Sequence, residues 1–375
     1  MPELYIGLMS GTSLDGADAV LADFADGRVA VRAHAGTPFD PALREQLLAL
    51  NSPGGVDELH RAALAANALA RTYASLTRQL LADAGVAADV VQAIGAHGQT
   101  VRHRPLEFDG TGYTLQLNNP ALLAELSGID VVADFRTRDL AAGGQGAPLV
   151  PAFHRAVFGQ PTRAIAVLNV GGISNLSLLP ARGDDSAPVL GFDCGPGNAL
   201  MDHWCQQHLG RPFDEAGRWA ATGTVLPALL ADLRADAYFG RPPPKSTGRD
   251  LFHPQWLAAC LARLPSPPAP EDVQATLAEL SASVIADDLV RHAAGARELV
   301  VCGGGAFNEH LLARLHALAP GVRVVTSADY GLPPTQVEAA AFAWLARATV
   351  RREPGNLASV TGARGERVLG AIYPA

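Results

Sequence analysis

The 375-residue chain contains a single lysine, Lys245, although arginine is plentiful. That shortage excludes two common ways of holding ATP. A Walker A loop needs a lysine directly after its last glycine, and a protein kinase needs a V-A-I-K strand and an H-R-D loop; neither pattern occurs. Only four cysteines are present, Cys194, Cys205, Cys260 and Cys302, with no CxxC spacing. This removes a zinc site and a disulfide framework from consideration. Charged residues make up only 18%, with a formal net charge of −8 and no basic run, which argues against nucleic acid or an anionic membrane as partner. No run has the length and apolarity of a membrane span, and Met1-Pro2-Glu3 lacks the basic start of a signal peptide, so a cytoplasmic location is expected. What the chain has in quantity is apolar residues, 48% of the total. Its length exceeds what one core usually serves, so the expectation is two domains with a cleft between them.

Periodicity divides the chain into two similar halves. Leu4–Met9, Ala17–Phe24 and Val29–Ala33 read as strands, followed by helices over Pro41–Leu50 and Val56–Ala84. In the longer helix Leu69, Tyr73, Leu76 and Leu80 share a face, and Gly85 ends it. Val90–Ile94 is a further strand. The second half repeats the plan: Ile165–Val170, Leu176–Leu179 and a run ending at Asp193 are strands. A helix starts near Asn198, a long one covers about Glu271–Leu289, and Glu298–Cys302 is a strand. The fold class expected is therefore a duplicated α/β domain.

Glycine turns follow three of the apolar strands. The first runs Gly11-Thr12-Ser13-Leu14-Asp15-Gly16, the second spans Gly171–Asn175, and the third begins Gly303-Gly304-Gly305. Glycine permits the backbone angles and close approach that a polyphosphate demands. Thr12 and Ser13 add hydroxyls, and Asp15 offers a carboxylate to a hydrated Mg²⁺. Two repeated units, each offering a loop to one nucleotide with a third loop at the adenosine, is the layout of the actin, sugar-kinase and heat-shock-chaperone superfamily.

Asp193 stands at a strand end before Cys194-Gly195-Pro196-Gly197-Asn198, where open α/β folds place their ligands. It reads as a general base, with Asn198 as the cap of the following helix. Glu338 reads first as a structural residue, because Thr335-Gln336-Val337-Glu338 matches a capping box. His97, Gln99, Arg136 and Arg138 follow strands, where a polar ligand could meet them, and His97 is expected to be exposed. Gly143-Gly144-Gln145-Gly146-Ala147-Pro148 has no evident packing use and reads as a loop folded over a ligand.

Taken together these motifs resemble the anhydro-N-acetylmuramic acid kinase family, from Leu4 to Pro374. The resemblance rests on Gly7 to Gly16, His97-Gly98-Gln99-Thr100, Ala133 to Arg136, Ala141 to Pro151 and Asn169 to Asn175. It also rests on Gly191 to Asn198, Lys245-Ser246-Thr247-Gly248-Arg249 and Cys302 to Asn308. It implies two actin-like ATPase (ribonuclease H-like) domains, the first over 1–130 with 355–375 packing back on it, the second over 131–354. It implies a bacterial cell-wall recycling enzyme that uses ATP, Mg²⁺ and water to convert 1,6-anhydro-N-acetylmuramic acid into N-acetylmuramic acid 6-phosphate. Asp193 would be the general base and Glu338 would assist. Gly11 to Asp18, including Ala17, with Gly171, Gly172 and Gly303 to Gly305, would bind ATP, and His97, Gln99, Arg136 and Gln145 the sugar. A homodimer is also implied.

Two rivals remain at this point. One is another small-molecule kinase of the same fold, with a substrate hydroxyl as nucleophile. The other is a nucleotide-gated chaperone or filament protein, which would need a peptide-binding region that the chain up to Ala375 does not offer.

Overall fold

The computed structural model describes residues 2–11, 14–184, 187–248, 251–293 and 295–375. Two compact units divide the chain: residues 1–157 with 336–375, and residues 158–335.

The first unit is built on a twisted sheet. Strands β1 (Leu4–Met9), β2 (Gly16–Asp23) and β3 (Ala30–Pro38) run as an antiparallel meander. β4 (Val91–Ala96) lies parallel on the other side of β1. β5 (Gln99–Pro105) and β6 (Gly112–Leu117) form a separate hairpin, and β7 (Val131–Ala133) returns to lie parallel to β4. The C-terminal strand Ala371–Tyr373 closes the edge antiparallel to β7. β1 reads as an unbroken apolar run because both of its faces are covered. Helices 41–50 and 58–84 take one face; the first is started by Pro41 and capped by Asp40, whose carboxylate accepts from the amides of Ala42 and Leu43. Leu69, Tyr73, Leu76 and Leu80 are all buried, as their spacing requires.

The other face receives helix 337–350, whose buried side is rich in alanine: Ala339, Ala340, Ala341, Ala343, Ala346 and Ala348. It approaches so closely that a Cβ on Gly7 would lie 1.8 Å from the Ala339 carbonyl oxygen, and one on Gly95 2.0 Å from that of Phe342. Two glycines and a run of alanines therefore let backbone meet backbone. Gly7→Ala is expected to destabilise this unit by about 3 kcal/mol, since a rigid helix backbone cannot yield. A melting temperature unchanged from the parent would contradict that packing.

The second unit repeats the topology. β8 (Ile165–Val170), β9 (Ile173–Leu179) and β10 (Leu190–Pro196) form an antiparallel meander, with β11 (Glu298–Cys302) parallel to β8 and β12 (Arg323–Thr326) parallel to β11. The sheet orders β3-β2-β1-β4-β7 and β10-β9-β8-β11-β12 are the same. That identity is the duplication, and it is the ribonuclease H-like plan of the actin-like ATPase fold. Helix 270–292, buried along nearly its whole length, packs on β9 and β10.

The unit boundaries fall elsewhere than 130/131 and 354/355. Residues 131–157 belong to the first unit because β7 pairs with β4, and residues 336–354 belong there because helix 337–350 covers its sheet. The segment 355–375 also lies in the first unit. Among the described residues no helix is long and apolar enough to cross a membrane.

Candidate active site

In the second unit a polar row crosses the sheet. Asp193 on β10 is opposite Asn175 on β9, which is opposite Asn169 on β8, which is opposite Cys302 on β11. Residues directly opposite share a face, so these four side chains line up at the end of the sheet that carries the glycine turns. A β-bulge between Asp193 and Gly195 breaks the ladder beside the acid, a device that re-aims side chains near ligands. Asp193 is partly buried. Its Oδ2 accepts from the Thr247 amide at 3.0 Å and from Ser246 Oγ at 2.8 Å. Its own amide donates to the Lys245 carbonyl, and Tyr238 Oη donates to its carbonyl at 2.8 Å. Burial pushes the carboxyl upward from the ordinary aspartate range, against the two hydrogen bonds and the nearby Lys245 charge. Oδ1 has no hydrogen bond among the described residues.

The turns flanking this row differ in why they contain glycine. A Cβ on Gly303, whose φ is +77°, would meet Asn169 Oδ1 at 2.3 Å, and one on Gly305 would meet Val170 at 2.3 Å; internal packing explains both. A Cβ on Gly171 would meet nothing nearer than Ile173 O at 3.6 Å, and one on Gly304 nothing nearer than Asn198 Nδ2 at 3.7 Å. Nothing in the unit requires glycine at those two positions, which leaves main chain open to an outside group. The carbonyls of Gly171 and Gly172 accept the amides of residues 197–199, which ties this turn to the loop after Asp193.

In the first unit the glycine turn is closed by Leu14 donating to the Gly11 carbonyl, with Leu14 held at φ +60° and buried in the core. Gln99 Nε2 also donates to that carbonyl, at 3.1 Å. Asp15 and Asp18 are exposed. Gly16 is glycine because the Thr37 carbonyl lies 2.2 Å from where its Cβ would be. Thr12, Ser13 and, in the second unit, Arg249 lie outside the described residues.

A second cluster in this unit centres on Arg136. Its Nε and Nη2 donate to His97 Nε2 at 3.2 and 2.9 Å, and Nη1 donates to the Gly146 carbonyl at 2.8 Å. Burial and the guanidinium together hold the His97 pKa well below its usual value, so the ring is neutral. Burial also lowers Arg136 to about 10, against the charges of Glu338 and Asp139. The His97 ring packs on Phe342 at 4.6 Å between centroids. Glu338 lies one helical turn before Phe342 and so shares its face. Its carboxyl is pushed up by burial, opposed by Arg136, and makes no hydrogen bond among the described residues.

The family model for anhydro-N-acetylmuramic acid kinase matches residues 3–375. The chain belongs to the anhydro-N-acetylmuramic acid kinase family. It is 70% identical over 374 residues to the Variovorax paradoxus protein of that name, covering all of this chain and 99% of the other. It is 60% identical to the Cupriavidus metallidurans protein, over 99% of this chain and 98% of that one. Among solved structures it is similar in fold to component A of (R)-2-hydroxyglutaryl-CoA dehydratase from Acidaminococcus fermentans. That match has a TM-score of 0.50 at 13% identity, over 92% of this chain and 99% of that one.

Several local expectations are corrected in this kinase. His97 is buried, not exposed, because its ring is the acceptor for the half-buried Arg136 and packs on Phe342. The capping box does not form: Gln336 is the N-cap of helix 337–350, without a side-chain capping bond. Asn198 does not cap either; its Nδ2 donates to the Val170 carbonyl instead. The glycines at 143–146 do have a packing use. Cβ atoms on Gly144 and Gly146 would strike Asp139 and Leu140 at 2.2 and 2.3 Å. Buried Asp139 accepts from Gly146 N, Asn356 Nδ2 and Thr361 Oγ1, which fixes the loop and leaves Gln145 exposed. Asn169 and Asn175 bound the second glycine-turn motif, but sequence reasoning gives neither of them, nor Asp139, a role of its own. The signal for the two asparagines is their spacing about the Gly171 turn, which pairs them across a hairpin.

Proposed function

We propose that this enzyme opens the 1,6-anhydro ring of 1,6-anhydro-N-acetylmuramic acid with water and phosphorylates the 6-oxygen with ATP, giving N-acetylmuramic acid 6-phosphate and ADP. The observation that carries the mechanism is Asp193, with one carboxylate oxygen held by two donors and the other free to take a proton. Water gives that proton to Asp193 as its oxygen bonds to the anomeric carbon. The bond from that carbon to the 6-oxygen breaks, and the 6-oxygen takes the γ-phosphoryl group as its bond to the ADP oxygen breaks. Asp193 then returns its proton to solvent.

The residues fit a polyphosphate substrate. Gly171 and Gly304 leave main chain open with no internal reason for glycine, and the closed turn at Gly11 keeps a second stretch of backbone in place. Gly171 and Gly304 are assigned to ATP on this basis, and Gly11 to Asp18, Gly172, Gly303 and Gly305 are assigned with them as the rest of the same three turns. Among the described residues no three potential ligands gather to hold a metal by themselves. The exposed Asp15 and Asp18 suit a Mg²⁺ that comes with the nucleotide, which needs only one or two carboxylates. It would neutralise charge on the phosphates. Arg136, positioned by neutral His97, is assigned with Gln99 and Gln145 to the sugar, and unpartnered Glu338 assists as an acceptor. A cytoplasmic homodimer completes the reading, and sedimentation of the purified enzyme tests the assembly.

The direct test is transfer of phosphate from ATP to the anhydro sugar, with N-acetylmuramic acid and N-acetylglucosamine as controls. Turnover of the anhydro sugar alone is expected, and equal turnover of a control would favour an ordinary hydroxyl kinase. Gly171→Ala gives a finer check. It meets no internal obstacle, so stability should stay within about 0.5 kcal/mol, while calorimetric ATP affinity falls and sugar affinity holds. Unchanged ATP affinity would remove this turn from the site.

A further inference from the structure

The only lysine in the chain is not at the surface. The side chains of Lys245 and Asp288 are 2% and 3% exposed, and Lys245 Nζ donates to both carboxylate oxygens, at 2.8 and 3.0 Å. The ammonium also stands 5.3 Å from the Tyr238 ring centre and 5.7 Å from that of Phe192. Asp288 belongs to helix 270–292, which packs on β10. Removing two charges from water is costly, and a buried ion pair is seldom the most stabilising choice for a core. Its place in the chain suggests another use. The carbonyl of Lys245 takes the amide of Asp193, and the next two residues supply both donors to Asp193 Oδ2. Tyr238, one wall of the ammonium's pocket, donates to the Asp193 carbonyl. Three successive residues thus grip the acid, and the first is tethered to the long helix.

We propose that the Lys245–Asp288 pair is a positioning element for the base: it anchors segment 245–247, which clamps Asp193 Oδ2 and leaves Oδ1 as the proton acceptor. The inference rests on the assignment of Asp193 as the base. The pair touches no substrate and acts only through the segment it holds. Small displacements of a catalytic group carry large rate penalties, so the pair affects turnover rather than binding.

The test replaces both charges together, Lys245→Met with Asp288→Leu, because removing one alone strands a buried charge. The double variant should keep the KM values for ATP and sugar within about twofold of the parent while kcat falls on the order of 10²-fold. Placed on an Asp193→Asn background, the same pair of changes should alter the residual rate less than about twofold, since the group it positions is gone. Equal losses in both backgrounds, or a double variant with parental kcat, would overturn the proposal while leaving the base in place. Near-parental activity of Asp193→Asn alone would instead remove the base assignment, and the proposal with it. Ser246→Ala, at an exposed position, guards against failure of the double variant to fold. It should lower kcat several-fold at constant KM, and a parental kcat would count against the clamp.

Discussion

Asp193→Asn is expected to cut turnover by at least ~10²-fold while folding and ATP binding stay near parental. Asparagine keeps an oxygen that can accept from Thr247 N and Ser246 Oγ, so the segment that grips the side chain remains satisfied. What is lost is the ability to hold a proton. The raised carboxyl pKa adds a second readout. The base must be ionised to work, so the acid limb of kcat should lie above the 3.8 of an ordinary aspartate and activity should fall as pH drops through it. Turnover within a few-fold of the parent, or an acid limb at or below the ordinary value, would contradict the assignment.

Glu338→Gln is expected to collapse turnover while the melting temperature holds. The residue makes no capping bond that the change could break, and glutamine is close in size. Its carboxyl lies near Arg136 and has no hydrogen-bond partner among the described residues, so the negative charge is the feature the substitution removes. A loss of stability of about 1 kcal/mol or more with turnover unchanged would assign Glu338 to structure alone. If neither quantity moves, its assistance in the reaction falls.

Much of the fold is legible because strands buried on both faces read as unbroken apolar runs. Leu4–Met9, Ile165–Val170 and Glu298–Cys302 are strands with the bounds their sequences suggest, and helix 41–50 is marked by Asp40 and Pro41. The unit boundaries are not legible in this way, because they depend on which sheet a late helix covers. The cue was Gly7 and Gly95 facing an alanine-rich helix, a match that only long-range packing reveals.

At the candidate site, sequence led to Asp193 through its place before a glycine loop. The row it forms with Asn175 and Asn169 depends on strand register, which adjacent residues do not encode. His97 shows the opposite case. Glycine neighbours suggest exposure, yet a half-buried arginine more than thirty residues away determines its environment. Thr335 to Glu338 fits a cap pattern that the helix does not use, since local motifs state what a segment can do and tertiary packing selects among the options.

The central claim, that water activated by Asp193 opens the ring and the original bridge oxygen becomes the phosphate ester, is tested most directly in ¹⁸O-water. The bridge blocks one face of the anomeric carbon, so in-line attack comes from the other and yields the α-anomer first. Asp193 is assigned as the base and Glu338 as an acceptor, so neither is the nucleophile that a retaining route needs. NMR of the fresh product should show solvent oxygen at the anomeric position of the α-anomer and none in the ester. Label in the phosphate ester oxygen, or a β-anomer formed first, would contradict the account.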